Sequence, residues 1–436
     1  MAAELVVIRG VRAIDPDRQL DAQLDVVIEK GRITALGPNS GQAAANAEHA
    51  RVIDGTGLWA VPAFVDLHAH FREPGHEYKE DIHSGLRAAA AGGYAHVCAM
   101  PNTKPVNDTR AVTDLMVSRA RSVAGPALHP IAAITKGLEG QQLTEMGELR
   151  EAGAVAVSDD GVCVMSAAVM RRAFEYARNF DLPVIQHAED HSLTAGAQMH
   201  EGPTATRLGL KGWPRVAEDI IVARDVLLAE YTQSRYHVAH ISTYGSAALV
   251  REAKSRNLRV TCEVTPHHLL LTDASVIGYE TFCKVNPPLR EQVDVDALQK
   301  ALADGTIDAI ATDHAPHSPL EKDCEFAEAS PGLMGLELCF GLLLGLVNEG
   351  KVPLGRLLHA LSTGPARVIG LEPPTLREGA VAQLALVNPN LVWQPKMSRI
   401  QSKSSNTPFL DRQLTGRVVL TIAQGEIVYD VLRGAA

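Results

Sequence analysis

Three basic side chains stand at alternate positions in the segment VDLHAHFREPG, residues 65–75: His68, His70 and Arg72. In an extended strand alternate side chains share a face, so all three would point one way, with Asp66 behind them. Three neighbouring cations repel. Neutral imidazoles on a metal relieve that repulsion, because a metal binds the unprotonated ring. A polar strand end in water is the alternative, and it weakens with each ligand-type residue found downstream. Several follow: Asn102; Ser158, Asp159 and Asp160; His187 and Glu189; His240; Thr265, His267 and His268; Asp313, His314 and His317. Brought together, these imidazoles and carboxylates offer the nitrogen and oxygen donors that suit zinc.

Most of these residues end an apolar run with strand character. The runs are AFVDLHAH, YAHVCAMPN, ALHPIAAIT, AVAVSDDG, LPVIQHAE, YHVAHIS, VTCEVTPHH and DAIATDHAPH. Segments with helical character, such as KEDIHSGLRAAAAGG and SAAVMRRAFEYARNF, separate most of them. Eight β–α alternations predict an α/β fold, a closed TIM-like (β/α)8 barrel, whose C-terminal strand ends meet at one mouth. A doubly wound open sheet is the competitor, but no glycine-rich dinucleotide fingerprint follows the first strand. The two ends of the chain read differently. ELVVIRGVRAID, DVVIEKGRITALG, VAQLALVNPN and GRVVLTIAQGEIVYD are β-rich runs between turn residues, which predicts a small β-sandwich domain built from both termini. The expected division is 1–58 with 368–436 for the sandwich and 59–367 for the barrel. Residues 395–415 read as a polar loop within the sandwich, and residues 332–347 as a buried helix packed on a sheet.

Composition narrows the function. A net charge of −10 argues against a nucleic-acid surface and a basic membrane patch, while a small anionic substrate could still meet a local cation such as Arg72. Six scattered cysteines without a CxxC pair suggest free thiols in a reducing cytoplasm. The N-terminus has an acid at position 4 and no long apolar core, so no signal peptide is expected.

The ordered series VDLHAHFREPG, AMPNTKPV, SDDG, QHAED, HIST, EVTPHHL, KVNPPLR, IATDHAPH and SPGLMGLE resembles the cyclic-amidohydrolase branch of the amidohydrolase superfamily, and within it the bacterial class I dihydroorotases. The resemblance covers essentially the whole chain. It implies a zinc-dependent, reversible cyclisation of N-carbamoyl-L-aspartate to (S)-dihydroorotate, the third step of de novo pyrimidine (UMP) biosynthesis. It further implies two zinc ions, one held by His68, His70 and Asp313, the other by His187 and His240, with Asp160 bridging where many relatives use a carboxylated lysine. Strand parity alone leaves Asp159 and Asp160 open. Asp313 would also be the catalytic proton shuttle. Substrate contacts implied in the same way are His70, Arg72, Asn102, Asn286, His317, Pro331 and Gly332, with residues 321–332 as a mobile lid. A homodimer and an association with aspartate transcarbamoylase also follow from the resemblance. An allantoinase, hydantoinase or dihydropyrimidinase would share the fold and metals, and a non-catalytic scaffold for the transcarbamoylase would have lost ligands.

His49, His76, His83, His96, His129, His191, His200 and His359 match no ligand position and receive no role. His267 and His268 stand between a site contact and packing. Cys98 and Cys262 are expected as buried strand residues. Glu189 is open between support of a ligand and a solvated strand end.

Overall fold

The computed structural model describes residues 5–434. Residues 1–4, 435 and 436, included in the expected sandwich and in the reading of the N-terminus, lie outside the described residues. Strands β1 (Leu5–Asp15), β2 (Leu20–Glu29), β3 (Arg32–Gly37), β4 (Ala50–Asp54) and β5 (Trp59–Pro62) precede the barrel. The barrel strands are β6 (Phe64–Ala69), β7 (Tyr94–Ala99), β8 (Ala127–Ala132), β9 (Ala156–Ser158) and β10 (Val184–Gln186). After a two-residue pair, β11 (Met199–His200) and β12 (Gly212–Trp213), come β13 (Tyr236–Val238), β14 (Val260–Val264) and β15 (Ala309–Ile310). The chain ends with β16 (Leu384–Trp393), β17 (Leu414–Ala423) and β18 (Glu426–Asp430).

The barrel strands pair in parallel in the order β15-β14-β13-β10-β9-β8-β7-β6. Every residue of β6, β7, β10 and β13 is buried, as expected for parallel strands covered by helices. Helix 167–178 shows how the cover is written in sequence. Met170, Ala173, Phe174 and Ala177 recur at helical spacing and all are buried. Helix 82–92 starts at a capping box in which Asp81 accepts from the Ser84 amide at 2.7 Å. Its small side chains let it approach closely, and a Cβ on Gly92 would stand 2.3 Å from the Leu336 carbonyl oxygen.

The seam between the first and last barrel strands is closed beyond β15. Ala69 bridges His314 in parallel, and the His70 amide donates to the His314 carbonyl at 2.8 Å. Asp66 fastens the same seam, accepting from the Thr312 amide at 3.0 Å and its hydroxyl at 2.5 Å. Burial pushes the Asp66 carboxyl up to about 7.

The terminal strands form one eight-stranded sheet, ordered β18-β17-β16-β5-β1-β2-β3 with β4 on β1. It includes Trp59–Pro62, which follows residue 58, because Ala60 pairs with both Ala13 and Leu386. The sheet folds back on itself around Val6, Ile8, Val26, Ile33, Leu384 and Leu420. Strands β4 and β18 are joined where the Arg51 guanidinium bonds Asp430.

Two segments differ from the sequence expectation. A helix does pack on a sheet, but it spans only Cys339–Asn348 and lies on β17 of the terminal sheet, with Phe340 stacked on Phe64 at 5.6 Å. Residues 332–338 are not helical because Leu333 pairs with His314 at the barrel seam. The polar stretch between β16 and β17 also leaves the terminal sheet and reaches the barrel mouth. There the Ser402 hydroxyl bonds Glu80, and the Glu337 carboxyl accepts from the Gln401 and Ser402 amides. The six cysteines are free, and Cys98 and Cys262 are buried in barrel strands. Among the described residues no helix is long and apolar enough to cross a membrane.

Candidate active site

His68 is the last residue but one of β6 and is fully buried. Its Nδ1 pairs with Glu263 at 2.9 Å, which leaves Nε2 facing Asp160 at 3.2 Å and Asp313 at 3.7 Å. His70, just past the strand, pairs through Nδ1 with the Asn102 amide oxygen at 2.9 Å. Its Nε2 then faces Asp313 at 3.2 Å and Asp160 at 3.4 Å. On the other side, His187 Nε2 pairs with Glu189 at 3.0 Å, so Nδ1 is the inward nitrogen. It lies 3.1 Å from His240 Nε2 and 4.0 Å from Asp160. His240 Nε2 stands 3.6 Å from Asp160. His68, His70 and His187 thus each have an outer partner that fixes which nitrogen faces the centre.

Asp160 is the shared element. Its carboxylate reaches all four imidazoles, whereas Asp159 turns away and accepts from the Ile134 and Thr135 amides at 2.8 and 2.9 Å. Among the described residues two groups could hold a metal: His68, His70 and Asp160, and Asp160, His187 and His240. Zinc bonds of about 2.0–2.1 Å in a tetrahedron place ligand atoms about 3.3–3.4 Å apart, close to the separations above. His68 Nε2 and Asp160 Oδ1 are buried without a hydrogen-bond partner among the described residues, as atoms reserved for a cation would be. The donor set therefore fits the metal. Charge agrees. Burial alone would raise the Asp160 and Asp313 carboxyls, but the surrounding imidazoles outweigh it and hold both well below the usual range.

The residues expected to face a substrate come from separate loops. Arg72 is not on the strand face. β6 ends at Ala69, and Arg72 adopts a left-handed φ of +62°. Its guanidinium still enters the same cavity, with Nε donating to the Pro316 carbonyl at 3.2 Å and Nη2 lying 3.4 Å from His317 Nε2. Arg72 makes no ion pair among the described residues. His240 and Asp313 also have positive φ, +29° and +45°. Strained backbone at three residues of one pocket is a mark of a functional site. Asn102, Asn286, His317, Pro331 and Gly332 line this cavity with His70, Asp160, His187, His240 and Asp313. Its volume is about 210 Å³, below the roughly 300–1,000 Å³ of drug-sized sites.

Within residues 321–332, the segment that the sequence resemblance implies as a lid, lysine side chains bond backbone carbonyls. Lys322 is buried and donates to the Thr281 and Lys284 carbonyls at 3.0 and 3.3 Å, while Lys284 Nζ holds the Phe326 and Ala327 carbonyls at 2.8 Å. Burial pushes the Lys322 amine down to about 7.

Of the undecided residues, Glu189 bonds His187 and also receives Asn286 at 3.4 Å. His191 has a structural part, since its Nδ1 lies 3.2 Å from Glu189 and its Nε2 accepts from the Cys163 amide. His268 is pinned between Thr265 and the Pro287 carbonyl at 2.7 and 3.0 Å. His267 is buried, lines neither metal-capable group, and bonds no protein atom among the described residues. Glu263 received no role from sequence although it links His68 to His237, whose Nε2 lies 3.2 Å away. An acid inside the apolar run VTCEV is the signal that could have found it, because a buried carboxylate requires partners.

The barrel with two His/Asp clusters at its mouth has counterparts among solved structures, which share the fold. The L-hydantoinase (dihydropyrimidinase) of Arthrobacter aurescens superposes with a TM-score of 0.86 at 23% identity, covering 99% of this chain and 96% of that one. The dihydropyrimidinase of Brevibacillus agri gives 0.84 at 21%, covering 98% and 95%. At sequence level, a family model described as Dihydro-orotase-like matches residues 57–246. The dihydroorotase of Anaeromyxobacter dehalogenans (strain 2CP-C) is 51% identical over 430 residues, 98% of each chain. That of Citrifermentans bemidjiense is 50% identical, over 97% of this chain and 99% of its own. The chain belongs to the dihydroorotase family.

Proposed function

We propose that the protein is a dihydroorotase that interconverts N-carbamoyl-L-aspartate and (S)-dihydroorotate plus water, with two zinc ions bridged by Asp160. The observation that carries this most directly is a single small cavity lined by members of both metal-capable clusters, beside a guanidinium with no ion pair among the described residues. In this reading 59–367 is the hydrolase unit and 1–58 with 368–436 the terminal unit, with β5 shared into the terminal sheet. A cytoplasmic homodimer able to associate with aspartate transcarbamoylase follows from the family resemblance alone.

His68, His70, Asp313 and Asp160 would hold one ion, and Asp160, His187 and His240 the other. Bound there, zinc supplies acidification of water and polarisation of an amide carbonyl. Arg72 binds the substrate carboxylate through its planar fork, and Asn102 and His317 complete that contact. Burial first, and then the Arg72 charge, push the His317 imidazole down to about 3, so it stays neutral beside the guanidinium. Asn286 and the Pro331–Gly332 backbone orient the ring so that one carbonyl faces the clusters. In hydrolysis Asp313 accepts a proton from the attacking water and returns it to the ring nitrogen as the C–N bond breaks. Ring closure runs the same transfers in reverse.

Initial rates with dihydroorotate, hydantoin and allantoin test the assignment. Dihydroorotate should be preferred by at least about a hundredfold, since only it carries the carboxylate that satisfies Arg72. Preference for hydantoin or allantoin would overturn it. Arg72→Ala should raise KM about a hundredfold, as expected for losing a charged, bidentate contact, with zinc content unchanged. Loss of metal in that variant would make Arg72 structural instead. Glu263→Gln should weaken metal binding about 10- to 100-fold in competition with a chelator, because the His68 ring loses its charged partner. Unaltered affinity would leave Glu263 as a packing residue.

A further inference from the structure

Asn406 lies in the loop between β16 and β17, outside the barrel, yet it is 2% exposed and aimed at the barrel mouth. Its Oδ1 accepts from the His317 amide at 3.1 Å. Its Nδ2 donates to two carbonyls, those of Ala315 and Gly332, each at 3.0 Å. Its own carbonyl accepts from the Met334 amide at 3.0 Å. The orientation is fixed chemically, since a flipped side chain would set its oxygen against two carbonyl oxygens. Ser404 adds a hydroxyl that donates to the His317 carbonyl at 2.7 Å.

Two arms of the mouth converge on this one amide. Residues 315–317 carry His317, and residues 331–334 carry Pro331 and Gly332. The arms also touch each other, because His317 Nε2 lies 2.9 Å from the Pro331 carbonyl and the Ala315 amide donates to Leu333 at 2.9 Å. Gly332 is held at both ends, its amide donating to the Lys284 carbonyl at 2.9 Å and its carbonyl accepting from Asn406. Its φ of +129° and a space in which a Cβ would lie 2.7 Å from Ala315 Cβ leave no slack between the arms.

We infer that Asn406 is a positioning residue for substrate binding, by which the terminal segment sets the spacing of the His317 and Pro331–Gly332 arms. Resting as it does on the proposed dihydroorotase activity, this role concerns the substrate side of the cavity only, since Asn406 bonds none of the four imidazoles or Asp160.

Asn406→Asp keeps the shape but turns two donated hydrogen bonds into repulsions. In the full-length, zinc-loaded protein it should raise KM for dihydroorotate about ten- to a hundredfold, with kcat within about threefold of wild type and zinc content unchanged. Ser404→Ala, which removes a single hydroxyl, should raise KM by about three- to tenfold. Ser405→Ala, between them, should behave as wild type. A wild-type KM in a folded Asn406→Asp protein overturns the inference, as does a fall in kcat with loss of zinc at constant KM. Failure of both the Asn406 and Ser404 variants to fold would overturn it too, assigning the loop to stability instead. Wild-type protein inactive on dihydroorotate would refute the proposed activity and not the clamp, whose geometry could then be followed with whichever cyclic amide the enzyme accepts.

Discussion

Asp313→Ala is expected to lower kcat for dihydroorotate hydrolysis by about 10³- to 10⁴-fold, at the upper end of what a positioned proton acceptor contributes. The carboxylate stands 3.2 Å from His70 Nε2 and 3.7 Å from His68 Nε2, and those rings outweigh its burial to keep it ionised. It is therefore ionised across the neutral range, the form that a proton acceptor needs. Its left-handed φ of +45° is the backbone cost of aiming that oxygen inward. Because Asp313 also borders one metal-capable cluster, Asp313→Asn is the sharper companion. It keeps an oxygen donor but has no basic carboxylate, so rates should remain low while zinc is retained. Near-normal turnover in either variant would remove Asp313 from the proton transfer.

Removing metal should abolish turnover, and zinc should restore it, with two equivalents per chain at saturation. Four buried carboxylates, Asp160, Asp313, Glu189 and Glu263, surround four buried imidazoles. Without a cation this assembly relies on protons to balance its charge. Loaded protein should also unfold at a higher temperature, since a ligand at about 1,000 times its Kd adds roughly 4 kcal/mol. Full activity after exhaustive chelation would sink the metal reading. Saturation at one equivalent would show that Asp160 does not bridge.

The barrel was legible because its strands are buried on both faces. They read as continuous apolar runs that turn polar where they reach the mouth, and the fold places His68, His187, His240 and Asp313 at those ends. The terminal sheet was legible from the contrast in texture between the ends and the middle of the chain. Periodicity failed where chain direction changes. It put Arg72 on the strand face, but the residue has a left-handed backbone and reaches the cavity from beyond the strand. It also could not separate Asp159 from Asp160, since both lie past Ser158, where alternation stops.

By itself the sequence determined the donor inventory, the order in which it is presented and the class of chemistry, because side-chain type and strand ends are local properties. Only the tertiary structure decided which nitrogen of each ring faces inward, which aspartate meets four imidazoles, and that Glu263 stands behind His68. It alone revealed that a loop near residue 406 holds two arms of a mouth built 91 and 74 residues earlier. Those outcomes depend on hydrogen bonds between segments distant in the chain, and such partners leave no spacing or period to read.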